Sequence, residues 1–256
     1  MDMRVAGIQA RFAVPSATEP LTPIWHPSPN FGPRRDGLVP SMVVIHYTAM
    51  NSAQVALDRL CDPSHEVSAH YLIGGDGTLW QMVNEEERAW HAGAGSWRGR
   101  TDINSRSIGI ELDNRGDHPF SEPQMTVLEK LLVEIMSRWH IEPDAVIGHS
   151  DMAPSRKKDP GWKFDWQRLA RANLSVWPEV NAAEAVEGYA TPERLKEFGN
   201  ELARFGYTVD GLPSLSLLDA FCQRFAPAFR GFGPDKLAMA RELGARFGVD
   251  RLKDEA

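Results

Sequence analysis

The sequence predicts an α/β domain, built on one mixed β-sheet flanked by helices and followed by a small three-helix domain. Three observations carry this expectation. The β-branched apolar runs "MVVIHYTA" (42–49), "SIGIEL" (107–112) and "AVIGH" (145–149) alternate with helix-like segments, as strands of a helix-covered sheet do. "AHYLI" and "LWQMV" flank "GGDGT", which inserts a hairpin among these units. Beyond residue 190 the β-branched character gives way to three amphipathic stretches.

The elements follow in order. Residues 1–40 form an extended N-terminal arm, because "VPSATEPLTPIWHPSPNFGPRRDG" shows neither helical nor strand period; Trp25 and Phe31 are expected to pin it. The principal domain spans 41–178. After its first strand, Ser52 caps a helix with Val55, Ala56 and Leu60 on its apolar face. The hairpin covers 69–83, with Asp76 and Gly77 supplying positive φ angles at the turn. "SEPQMTVLEKLLVEIMSRWH" (121–140) is an amphipathic helix capped by Ser121, with Pro123 in its first turn and Met125, Leu128, Leu132, Ile135, Met136 and Trp139 facing inward.

Residues 179–190 read as a linker, and 191–256 as the three-helix domain. Its stripes are Leu195, Phe198, Leu202 and Phe205; Leu218, Phe221, Cys222 and Phe225; and Leu237, Ala240, Gly244 and Phe247. Turns at "GYTVDGLPS" and "FRGFGP" separate them.

Composition excludes several classes of partner. The chain has 256 residues, 42% of them hydrophobic, and no apolar run approaches the ~18 residues of a membrane span. A net charge of −7 argues against nucleic acid or anionic lipid. Cys61 and Cys222 sit in helix-like apolar patterns and suit reduced core thiols. The first twenty residues, broken by Gln9 and Arg11, are too weak for a secretory signal, and no cysteine follows that could take a lipid. A cytoplasmic monomer is expected, or a periplasmic or envelope protein if an export signal has been removed.

The chemistry-bearing residues lie in separate segments. Taken alone, "GHSDMAPSRKKDPG" (148–161) reads as a solvated loop, and His46 within "VVIHY" as a satisfied core histidine. The contiguous His149, Ser150 and Asp151 are no catalytic triad, since neighbours on a strand point to opposite faces. Together, two strand-end histidines, His46 and His149, and the carboxylate of Asp159 make the three-ligand set typical of a catalytic zinc (Zn2+). Such a site needs a base and a cation for the developing oxyanion: Glu111, ending "IGIEL", and Lys157 are the candidates.

The loop "RAWHAGAGSWRGR" (88–100) offers Trp90, His91 and Trp97 to a substrate groove, with Asn51, Arg106 and Asn114 as further candidates. His70 reads as a buried, hydrogen-bonded histidine. It shares no metal with His65, because five residues on a helix set the two about 140° apart. Asp151, Arg156 and Lys158 read as ordinary solvated charges.

Four segments in matching order and spacing, "VVIHYTA", "SAHYLIGGDGTLWQMV", "SIGIELDN" and "GHSDMAPSRKKDPG", resemble the zinc-dependent N-acetylmuramoyl-L-alanine amidases of the type 2 amidase domain, relatives of peptidoglycan recognition proteins. The resemblance covers about residues 40–178. It implies that His46, His149 and Asp159 bind zinc, that Glu111 is the catalytic acid/base and Lys157 the transition-state cation, and that the 88–100 loop lies beside a peptidoglycan or muropeptide substrate. Some relatives use a tyrosine at the position of Ala69 instead of the glutamate, which places this chain in the glutamate-using branch.

The C-terminal unit resembles small peptidoglycan-binding domains in "LARFGYTVDG" and "AFCQRF". Over 185–256 it carries 10 basic and 11 acidic residues, which disfavours a DNA-binding three-helix module. Two rival readings remain: a non-catalytic peptidoglycan-recognition module, and a wall glycosidase using Glu111 with Asp113.

Overall fold

The computed structural model describes residues 20–180, 190–228 and 231–249. The start of the arm, most of the linker, Phe229 and Arg230 of the second helical turn, and the last seven residues lie outside them.

In chain order come β1 (Ile24–Trp25), β2 (Phe31–Pro33), β3 (Met42–Tyr47), α1 (Ala53–Cys61), β4 (Tyr71–Ile73), β5 (Leu79–Gln81), β6 (Glu87–Ala89), α2 (Ile103–Arg106), β7 (Ser107–Leu112), α3 (Glu122–Trp139), β8 (Val146–Gly148), α4 (His149–Met152) and α5 (Trp166–Arg171), then α6 (Pro192–Phe205), α7 (Leu215–Phe225) and α8 (Pro234–Phe247). The main sheet runs β1-β5-β4-β7-β3-β8, parallel throughout except at the β4–β5 hairpin, so it is mixed as expected.

β3 alternates between two cores. Val43 and Ile45 face Ile108, Ile110 and the apolar stripe of α3, while Met42 and Val44 join a cluster with Ile147, Trp97, Phe198, Leu202, Phe205, Phe221 and Phe225. His46 continues the second face. The C-terminal helices therefore share a hydrophobic cluster with the sheet.

Several local expectations change. Val55 is 50% exposed, and Leu57 takes its place beside Ala56 and Leu60. In the hairpin, Gly77 alone has positive φ (+88°); Asp76 instead accepts from the Thr78 amide (2.9 Å). The arm is built into the structure: β1 extends the main sheet, and β2 pairs antiparallel with β6. Trp25 and Phe31 do not pin it, being 52% and 45% exposed.

Polar side chains hold the arm, because they satisfy carbonyls that a packed loop would orphan. Ser28 Oγ donates to Leu60 O (2.6 Å), and Asn30 Nδ2 to Asp62 O (2.9 Å) and Val67 O (2.8 Å). The Arg34 guanidinium reaches Glu85 O (2.7 Å), Ser107 O (3.1 Å) and Asn104 O (3.2 Å). Burial lowers its pKa to about 10, still far above neutrality.

Replacing Arg34 by Met should strand these carbonyls and cost about 3 kcal/mol. Denaturant unfolding checks this, with Arg35→Met, at an exposed neighbour, staying near wild type.

Candidate active site

Parallel pairing assembles the site. His46 on β3 stands in register with Glu111 on β7, so both side chains leave the same sheet face. On the other side β3 pairs with β8, and His149 follows the last paired residue, Gly148. The C-terminal strand ends of a parallel sheet, where such folds bind ligands, thus carry both histidines and the glutamate. Asp159 comes from the loop after α4, tied back by the Ser150 amide, which donates to Asp159 O (2.9 Å).

His46 Nδ1, His149 Nδ1 and Asp159 Oδ2 lie 2.9 Å from one another. All three residues are buried. Their outer partners fix what the inner atoms present. His149 Nε2 lies 2.8 Å from Ala92 O, and a carbonyl only accepts, so the hydrogen is on Nε2. The Ser107 hydroxyl donates to Ile103 O (2.6 Å), so it accepts from His91 Nε2 (3.2 Å). His91 Nδ1 is then the acceptor for His46 Nε2–H (3.0 Å).

With the ring hydrogens on Nε2, each Nδ1 presents a lone pair to the other and to a carboxylate. Burial and the His149 ring hold the His46 pKa down at about 4, which keeps that ring neutral at pH 7. Three acceptors with no hydrogen among them are costly to bury unless a cation sits between them. The donor set, two imidazole nitrogens and one carboxylate oxygen, is that of a catalytic zinc site.

Gly109 explains how His91 fits beneath His46. A Cβ on Gly109 would meet the His91 ring at 2.4 Å, so only a residue without a side chain leaves space for it. His70 lies deeper, fully buried, donating from Nε2 to Glu87 O (3.1 Å) and accepting at Nδ1 from Gly109 N (3.0 Å). Burial and nearby Arg34 lower its pKa to about 3.

The three metal candidates border a hollow of about 420 Å³ with Glu111, Lys157, Trp90 and His91. Glu111 Oε2 is buried without a hydrogen-bond partner. Burial, then Asp159, push its pKa up to about 8, against the opposing pull of Lys157.

Other groove candidates fall elsewhere. Trp97 is fully buried, edge-on to Phe205 (5.5 Å) and Tyr207 (4.9 Å), so it packs the C-terminal helices and touches no substrate. Its neighbour Arg98 donates to Asp144 (2.8 Å) and Phe247 O (2.7 Å). Arg106 turns back to Thr101 O (3.1 Å), outside the hollow. Asn114 is buried and braces its own loop, accepting from Gly116 N (2.6 Å). Asn51 and Asn114 border a separate hollow together with Asp113, which parts Asp113 from Glu111 and removes the glycosidase pair. His91 borders the hollow, but both of its ring nitrogens are engaged by protein.

Sequence reasoning missed Arg156, which donates to Ala92 O (2.7 Å) and Ala94 O (2.5 Å) and lines the hollow with Tyr47, Met50 and Arg59. It also missed Asp151, which is 1% exposed rather than solvated. No local signal marks Arg156, whose loop spacing says nothing of which carbonyls it reaches. Lys158 does keep to the surface, paired with Asp219 (3.1 Å).

Three buried acceptors beside a carboxyl and a lysine, at the C-terminal edge of a parallel sheet, define the class: a hydrolase site shaped for a divalent cation. A model of the family described as N-acetylmuramoyl-L-alanine amidase matches residues 36–162. N-acetylmuramoyl-L-alanine amidase AmiD of Escherichia coli K12 is 38% identical over 234 residues, 82% of this chain and 84% of that protein. This chain belongs to the N-acetylmuramoyl-L-alanine amidase family.

The 1,6-anhydro-N-acetylmuramyl-L-alanine amidase AmpD of Haemophilus influenzae is 37% identical over 159 residues, 55% of this chain and 86% of that one. Among solved structures, the complex of E. coli AmiD with anhydro-N-acetylmuramic acid-L-Ala-D-gamma-Glu-L-Lys aligns with TM-score 0.73 at 33% identity, over 82% of this chain and 91% of that one. AmpDh3 of Pseudomonas aeruginosa with an anhydromuramic pentapeptide aligns with TM-score 0.71 at 25% identity, over 93% and 100%.

Removing the outer partner of His46 should weaken the hold of this trio on a divalent cation. His91→Ala is expected to weaken zinc binding about 10- to 100-fold, and Ser107→Ala less, measured by competition with a chromophoric chelator.

Proposed function

We propose that this chain hydrolyses the amide between the lactyl group of N-acetylmuramic acid and the L-alanine of the stem peptide, using zinc held by His46, His149 and Asp159. The observation that carries this is the trio of buried acceptors facing one another beside the unpartnered Glu111 Oε2. Zinc, when bound, supplies a Lewis acid that polarises the carbonyl and acidifies water.

The protein's own groups do the rest. Glu111 takes a proton from the attacking water at Oε2 and returns it to the leaving nitrogen as the C–N bond breaks, giving a muramic carboxylate and a free amine. In the metal-free site burial keeps Glu111 protonated near neutrality; a divalent cation held beside it would lower its pKa and leave the carboxylate free to take that proton. The Lys157 ammonium offsets the charge developing on the carbonyl oxygen. Trp90 and Met50 border the hollow and supply apolar surface to the substrate.

The solved relatives that hold anhydromuramyl peptides support muropeptide fragments as substrates. A full ligand set with its base in place favours an enzyme over a non-catalytic recognition module.

Digestion of purified muropeptides should release free stem peptide, detected by mass spectrometry, and a chelator should abolish the release. Sugar fragments still linked to peptide, formed in the presence of chelator, would reverse the assignment.

Glu111→Gln should lower kcat by about 10³-fold or more while zinc stays bound. The same substitution has a stability signature in the metal-free protein. A folded-state pKa of about 8 lies above the unfolded value of 4.5, so the folded chain holds an extra proton between these limits and loses stability as pH rises through them. The variant lacks that loss. Its unfolding free energy, measured by denaturant titration, should match wild type near pH 4.5 and exceed it at pH 8 by up to roughly 4 kcal/mol, at about 1.4 kcal/mol per pH unit.

A further inference from the structure

Two residues past the ligand His149, Asp151 is buried and both of its oxygens are engaged. Oδ2 accepts from the Gly148 amide and from Arg224 Nη1, each at 2.7 Å, and Oδ1 accepts from the Tyr207 hydroxyl (2.5 Å). Arg224 lies in α7 and Tyr207 just past the end of α6. Both side-chain donors therefore come from the C-terminal unit.

Arg224 is itself 1% exposed. Its Nη2 donates to Val146 O (2.9 Å) and Ser175 Oγ (3.3 Å), and its guanidinium lies 4.6 Å from the Trp166 ring centroid and 4.9 Å from that of Phe225. Val146 and Gly148 are the two ends of β8, the strand that delivers His149. One guanidinium and one carboxylate thus clamp both ends of that strand.

Asp159 is joined to the same turn. Gly148 packs so closely on Pro160 that a Cβ would meet its Cδ at 2.7 Å, and the Ser150 amide donates to Asp159 O. Any rotation of α4 that relieved an unpaired Asp151 would carry both His149 and Asp159 with it.

We propose that the helical unit is an integral part of the metal centre: Arg224 and Tyr207 act through Asp151 as positioning residues for His149, and so set the affinity and geometry of the metal. This rests on the zinc reading above. It gives the unit a role within the catalytic core, distinct from tethering to cell wall. Planar, bidentate arginine suits that role because it fixes orientation as well as charge.

The test uses the full chain, reading the zinc dissociation constant by chelator competition and the visible absorption bands of the cobalt(II)-loaded protein. Tyr207→Phe is expected to weaken zinc binding about 3- to 10-fold, Arg224→Met about 30-fold or more, and both to shift the cobalt bands. Phe198→Leu, in the core of the same helices, controls for general loosening: it should lower the melting temperature and leave zinc affinity within about twofold. Zinc affinity and cobalt bands unchanged in Tyr207→Phe and Arg224→Met, or a Phe198→Leu effect as large as theirs, would overturn the proposal. If Arg224→Met fails to fold, Tyr207→Phe decides alone. Wild type that takes up neither metal sinks the zinc reading itself, a result separable from wild type that loads normally beside variants that load equally well.

Discussion

Parallel pairing of β3 with β7 on one side and β8 on the other is the constraint from which the site follows. Side chains in register on parallel strands leave the sheet on the same face, so pairing His46 with Glu111 brings a ligand and a base together without any loop rearrangement. Ending β8 beside Ile45 releases His149 at the same edge. A slip of one residue in either pairing would send these groups to opposite faces. The long apolar runs bury both faces and so resist such a slip.

Once the strands are placed, the remaining difficulty is electrostatic. Bringing two imidazole lone pairs and a carboxylate within 2.9 Å of one another is unfavourable in a dry interior. The structure holds them there through outer hydrogen bonds ending on backbone carbonyls, Ala92 O for His149 and Ile103 O for the longer His91–Ser107 relay behind His46. Carbonyls cannot donate, so the direction of every bond in both chains is settled and the tautomers with it. Burial raises the Glu111 pKa in the same environment that keeps His46 neutral, because low polarity disfavours the charged form of each.

The 88–100 loop shows one stretch serving two purposes. Trp90 and His91 face the hollow, while Trp97 and Arg98 turn away to receive the C-terminal helices. Those helices complete a core that the exposed face of the sheet requires, with Phe205 and Phe221 in the same cluster as Val44 and Ile147. The ion pair between Arg224 and Asp151 lies inside that cluster's polar seam, where the burial of two charges is offset by mutual contact and by four further hydrogen-bond partners.

Much of this was legible in the sequence. Strand runs, the hairpin, the capped helix α3 and the three C-terminal amphipathic stretches announce themselves through periodicity and turn chemistry, which are local properties. The candidate ligands, base and lysine were legible because those residue types are costly or unusual at strand ends and because their segments resemble a known family. What the sequence could not convey is which polar side chain meets which distant backbone group. Trp97 and Trp90 look alike in a glycine-rich loop, yet one is core and the other borders the hollow; Asp151 looks solvated among charges, yet a partner 73 residues away buries it. Local pattern determined the elements and named the chemistry. Tertiary structure decided the outer hydrogen-bond partners, the burial of charges and the docking of the helices, because these depend on long-range contacts that leave no periodic trace in the chain.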